Sequence, residues 1–109
     1  MLREAIKRVF SRRSEGSIVE LSIDDAERRL DKYLILQNLM PRIVGDRNYI
    51  GKYVDAYDIP FHAWKFLAQF DQRQIQYGAW VTPSKVQVEE NINDGFFQNL
   101  IGTSRRIDL

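Results

Sequence analysis

"YIGKYVDAYDIPFHAWKFLAQF", residues 49–70, carries seven aromatic rings in twenty-two positions, and the spacing of those rings decides the fold. Tyr49, Tyr53 and Tyr57 stand four apart beside Ile50 and Val54, with Lys52, Asp55 and Asp58 set against them. This spacing predicts an amphipathic helix over residues 47–58. Pro60 suits the first turn of a following helix, where the N–H it lacks would have had no partner. Over residues 61–77, Phe61, Trp64, Leu67, Ala68 and Ile75 share one helical arc, and His62, Lys65, Gln69, Gln72, Arg73 and Gln76 share a polar one. Phe66, Phe70 and Tyr77 fall on a third strip. Most of the rings are therefore expected in a core, but the apolar arc is wider than one buried stripe needs. The expectation is a protein contact surface made by Phe66, Phe70 and Tyr77 together with Tyr49, Tyr53 and Tyr57, since a tyrosine offers apolar area with a hydroxyl that stays wet.

Upstream, Leu2, Ala5, Ile6, Val9 and Phe10 line one side of a first amphipathic helix. Arg3, Lys7, Arg8, Arg12 and Arg13 lie around its remainder and at its end. "SIVELSI", residues 17–23, alternates with Val19, Leu21 and Ile23 on one side, the pattern of a strand with one buried face. Ser22 or Asp24 then caps a second helix, whose Asp25 and Glu27 suit the positive end of the helix dipole. Asp24 with Arg28 and Asp25 with Arg29 are acid-first pairs at i,i+4. Ala26, Leu30, Tyr33 and Leu34 form a stripe on this helix, but Ile35, Leu36, Leu39 and Met40 surround it. Its end is therefore expected to run into the centre of the molecule, with Pro41 stopping it. "VGDRN" predicts a turn. Downstream, Val86 and Val88 mark a second strand, expected to pair with residues 17–23, and "FFQNLIG" predicts a last helical turn or two closed by Gly102.

The fold class expected from these elements is α+β and mainly helical, with about four helices and a small two-stranded antiparallel sheet. The whole of residues 1–109 forms one domain, and that length suffices for a single core. With 44% hydrophobic and 28% charged residues, the composition is that of a folded domain. Cysteine is absent, which removes disulfides, thiolate nucleophiles and cysteine zinc sites. The start lacks a secretory h-region and no apolar run is long enough to span a bilayer, so a cytoplasmic protein is expected. Net charge is +1 but uneven: residues 1–15 hold five basic and two acidic side chains, and residues 16–40 three and five.

The motifs of catalysis are missing. His62 is the single histidine, sits among Lys65, Gln69 and Arg73 on the polar arc, and reads as a solvated surface residue with no second histidine to share a metal. "GDRNYIGKY" has five residues between its glycines where a phosphate loop needs four, and Tyr53 replaces the metal-binding hydroxyl. "EENINDG" would put Ile92 at a calcium-ligand position and is read as a turn. No Gly-x-Ser-x-Gly elbow occurs, and the adjacent acids Asp24 with Asp25 and Glu89 with Glu90 suit caps and solvated positions. The expectation is a non-enzymatic interaction or structural subunit of a larger assembly, without cofactor or metal, binding a protein partner or its own copy through the aromatic surface and the basic first helix. The alternative is a nucleic-acid-binding accessory protein in which Arg3, Lys7, Arg8, Arg12 and Arg13 join Arg105 and Arg106 against phosphates. The order helix, strand, helix, helix and hairpin resembles the winged-helix arrangement of DNA-binding proteins. Against that, residues 47–58 carry tyrosines and aspartates where base readout needs arginine and asparagine.

Overall fold

The computed structural model describes residues 21–90 and 95–107. Helix α1 (Ile23–Leu36) is followed by a 3-10 turn (Met40–Arg42) and four successive strands: β1 (Ile43–Val54), β2 (Pro60–Phe70), β3 (Arg73–Val81) and β4 (Val86–Glu90). A short helix α2 (Phe96–Gly102) and strand β5 (Arg105–Ile107) complete the chain. The strands form one antiparallel sheet in the order β4-β3-β2-β1-β5. The mainly helical expectation is thus overturned: the two helices expected over 47–58 and 61–77 fall in the three longest strands. The first basic helix and residues 17–20 of the first expected strand lie outside the described residues. Leu21 and Ser22 are irregular, Ile23 opens α1, and among the described residues β4 pairs with β3.

The reason lies in how a doubly covered strand reads. On β2, His62, Trp64, Phe66 and Ala68 point to the α1 side, and Phe61 and Ala63 point to the other, and all six are buried. A strand buried on both faces is a continuous apolar run, and such a run cannot be told from a helix by periodicity. Spacing of four deepens the ambiguity, since it is a whole number of strand repeats as well as nearly one helical turn. Strand β1 adds a further twist. Its pairing with β2 slips between Tyr49 and Gly51, so Tyr49 lies opposite Trp64 while Tyr53 lies opposite and stacks on Phe61, on the other face. A bulge of this kind re-aims side chains. "VGDRN" is likewise no free turn: it sits inside β1, where Gly45 takes φ 77° at a second slip between Val44 and Asn48.

Helix α1 was legible. Ser22 Oγ accepts from the Asp25 N–H at 3.1 Å, and Ala26, Leu30 and Leu34 are buried at successive i+4 positions. Burial of Leu30 and Leu34 contributes roughly 1.5–3 kcal/mol each. These residues meet Trp64, Phe66, Ala79 and Val81 in the larger core. The expected i,i+4 pairs are replaced: Asp25 pairs with Arg28, and Arg29 instead donates to the carbonyls of Thr82 (3.3 Å) and Pro83 (2.6 Å), tying α1 to the β3–β4 turn. Asn38, at φ 58°, ends the helix before Pro41 can. The Leu39 N–H returns to the Leu34 carbonyl (2.8 Å) and the Asn38 N–H to that of Ile35 (3.0 Å), a left-handed cap that satisfies two of the last carbonyls.

The opposite sheet face carries the second core, built by Tyr53, Phe61, Ala63 and Trp80 around Phe97 of α2. Phe97 lies directly on Gly78, where a Cβ would stand 2.2 Å from its Cγ. Glycine in this strand therefore makes the room that α2 needs.

Candidate protein interface

The early end of α1, near the β1–β2 and β3–β4 turns, is tied down, but the opposite end of the molecule is not. There the last turn of α1, the 3-10 turn, the start of β1 and the end of β2 come together, since Ile43 and Val44 pair with Ala68 and Leu67. Ile35 and Leu36, expected in the centre, are instead 63% and 73% exposed. Helical phase explains this: α1 runs on through Leu36, and Ile35 and Leu36 stand about 100° and 200° around the helix from buried Leu34, on its outward side. Met40, Val44 and Leu67 are also exposed at this end. By the alternation along β2, Leu67 and its partner Val44 face away from α1, whereas Ile35 and Leu36 lie on the α1 side, so these exposed apolar side chains stand on two faces of the sheet.

Beside them stand the rings picked out from the sequence. Phe66 and Tyr77 are cross-strand partners stacked at 5.4 Å and 12°, and Tyr77 meets Phe70 at 6.3 Å. The Arg42 guanidinium lies 4.7 Å over the Phe70 ring, a cation–π contact. Burial, with a smaller push from Glu90, raises the Tyr77 pKa, against the pull of Arg42 and Arg73. Its hydroxyl thus stays a hydrogen-bond donor through the neutral range. The three-ring strip is real, but it is built across two strands rather than along one helix, and Phe66 belongs to the core.

The structure does not align the three tyrosines. Tyr53 is buried under Phe61, Tyr57 projects from the β1–β2 turn at 84% exposure, and Tyr49 turns to the α1 side. Arg105 and Arg106 are exposed on β5, away from the apolar end, and Arg106 lies along Gly51. Arg3, Lys7, Arg8, Arg12 and Arg13 lie outside the described residues. The segment that would have been a recognition helix is β1, which removes the winged-helix arrangement.

Two polar clusters escaped the sequence reading. Arg47 leans from the bulged part of β1 onto α1, with its Nη2 2.5 Å from Asp31 and 3.7 Å from Glu27. This pairing pins the bulge to the helix and walls an open cavity of about 570 Å³ that Met40 and Ile43 also line. His62, expected in solvent, is 2% exposed. One ring nitrogen, Nε2, lies 2.6 Å from the Leu21 carbonyl, which can only accept, so Nε2 carries a proton. In the neutral ring Nδ1 then accepts from the Tyr49 hydroxyl at 2.8 Å. Burial raises the Tyr49 pKa, with Tyr53 adding and Arg106 opposing, which keeps that hydroxyl a donor. With both nitrogens held, His62 fastens the entry of α1 to the sheet. Lys52, its cross-strand neighbour, is also buried. The clue was available in the sequence: Phe61, His62, Ala63 and Trp64 read as strand put His62 on the face of Trp64.

Among the described residues no group of three histidine or carboxylate side chains is placed to hold a metal ion, and no helix is long and apolar enough to cross a membrane. No protein-family model, curated protein or solved structure matched the chain.

Proposed function

We propose that the chain is a non-catalytic interaction subunit that docks onto a partner protein through its exposed apolar end. The observation that carries this reading is the exposure of Ile35 and Leu36 at the end of α1, where Leu36 borders a groove with β4 on the sheet face that also carries Phe70 and Tyr77. Aromatic and arginine side chains beside an apolar centre are the composition of protein contact surfaces. The partner's chemistry follows from the groove between α1 and β4. Tyr33, Leu36 and Val86 give it apolar walls, and Lys32 and Lys85 add two cations. An apolar segment flanked by acidic residues complements that groove.

A photo-reactive p-benzoylphenylalanine at position 36, introduced in the native host, tests the reading. A discrete cross-linked protein species that disappears when Lys32 is changed to Glu is expected. Absence of any cross-link at position 36, or one indifferent to that charge reversal, contradicts the proposal.

A further inference from the structure

A second site lies on the other sheet face, beside the β1–β2 and β3–β4 turns. Helix α2 covers the middle of this face through Phe97, but it is seven residues long and stops short of the β1–β2 and β3–β4 turns. Between those turns and Leu100 of α2 a cavity of about 370 Å³ remains. Phe61 and Trp80, themselves nearly buried, form its floor, and Ile59 and Tyr57 form one wall. Its volume falls at the small end of the range of ligand sites, and its character matches theirs: apolar and aromatic walls with a few polar groups at the rim.

Most of the rim groups are committed to the turns. Asp55 Oδ1 accepts from the N–H groups of Tyr57 (2.8 Å) and Ile59 (3.0 Å). Thr82 Oγ1 accepts from Ser84 N (3.2 Å) and Lys85 N (3.0 Å) and donates toward the Lys85 carbonyl at 3.3 Å. The Lys85 ammonium has no hydrogen bond or ion pair among the described residues, and Ser84 Oγ meets only Thr82 at 3.3 Å. What remains available at the mouth is thus the Lys85 ammonium with the Ser84 and Tyr57 hydroxyls, above an aromatic floor. We propose that this cavity binds a small apolar monocarboxylate, with the aryl or alkyl body on Phe61, Trp80 and Leu100 and the carboxylate at Lys85 and Ser84. Asp55, on the opposite wall, sets the orientation by repelling the carboxylate toward Lys85. This site and the groove between α1 and β4 share Ser84 and Lys85 of the β3–β4 turn, and differ in their remaining residues.

The test is an NMR titration of the full chain with sodium 4-phenylbutyrate and, separately, with the uncharged 4-phenylbutyramide. The site predicts saturable shifts of the Trp80 indole N–H and Leu100 methyl signals with the acid. It predicts about two- to fivefold weaker binding of the amide, as the loss of one exposed charge contact implies. Lys85→Ala should weaken the acid by the same factor and leave the amide unchanged. No saturable shift at Trp80, equal affinity for acid and amide, or an acid affinity indifferent to Lys85→Ala overturns the proposal. Because neither Lys32→Glu nor a substitution at position 36 touches the cavity, failure here leaves the interface proposal standing, and the reverse also holds.

Discussion

Replacing Gly78 by Ala tests how α2 is held. The added Cβ would stand 2.2 Å from Phe97 Cγ and 2.5 Å from both Cδ atoms. Carbon atoms rest about 3.5–4.0 Å apart, so the ring must withdraw by more than about 1 Å. Phe97 is the only buried residue of α2, and a helix of seven residues has no stability of its own, so nothing else on α2 can absorb the move. Overpacking of this kind costs about 1–3 kcal/mol. Phe97→Ala alone should cost about 3–5 kcal/mol by emptying the site. The two effects should not add. In the Phe97→Ala background the methyl introduced at position 78 enters space the ring has left, and Gly78→Ala should cost nothing or stabilise by roughly 0.5–1 kcal/mol, the usual penalty of glycine in a strand. Urea unfolding followed by Trp80 fluorescence measures all four corners of the cycle, since Phe97 lies 5.8 Å from that indole. A coupling above about 1 kcal/mol is expected, and additivity within about 0.5 kcal/mol would refute the direct contact.

Three further outcomes follow from the same geometry. Leu36→Asp should leave stability within about 0.5 kcal/mol, as exposed sites do, whereas Leu30→Ala should cost about 2–5 kcal/mol; thermal unfolding of both variants separates the surface from the core side of α1. Tyr49→Phe removes the donor to buried His62 Nδ1 and should cost about 1–3 kcal/mol, checked by denaturant titration at neutral pH. Tyr49 and Tyr77 both have raised pKa values, so the unfolded chain ionises first as pH climbs past the ordinary tyrosine value of 10.0. Their contribution is present below that pH and is lost above it, so stability should fall from about pH 10 upward, and Tyr49→Phe with Tyr77→Phe should flatten the fall.

Helices α1 and α2 and strand β4 were legible and the middle of the chain was not. The Ser22 cap with Ala26, Leu30 and Leu34 gives a helix at one spacing only, and "FFQNLIG" and Val86–Val88 are short elements flanked by polar or glycine residues. Where β1, β2 and β3 approach the turns the sheet carries a core on each side, and apolar residues at odd and even positions alike erase the alternation that announces a strand. Composition held the remaining signal: Tyr, Phe, Trp, Ile and Val crowd this region, as β-propensity favours, and the polar residues of "RQIQY" alternate. Asp71 and Gln72, with Asp71 at φ 57°, form the two-residue connection that joins Phe70 to Arg73. Of the candidate surface, Phe66, Phe70 and Tyr77 stand together in sequence and structure alike because residues 66 and 70 share a face under either periodicity and Tyr77 is the cross-strand neighbour of Phe66. The exposure of Ile35 and Leu36 follows from helical phase, since the buried line of Ala26, Leu30 and Leu34 leaves them on the outward side, and the apolar run around them masked it.

The two cores and the cavities described above depend on residues 49–81 forming paired strands. Proton NMR of the native chain tests this directly through contacts between protons on neighbouring strands. The account predicts backbone and ring cross-peaks joining Tyr49 to Trp64, Phe66 to Tyr77 and Ala79 to Val88. Continuous amide-to-amide and i to i+3 contacts through residues 61–77, with those cross-strand peaks missing, would contradict it.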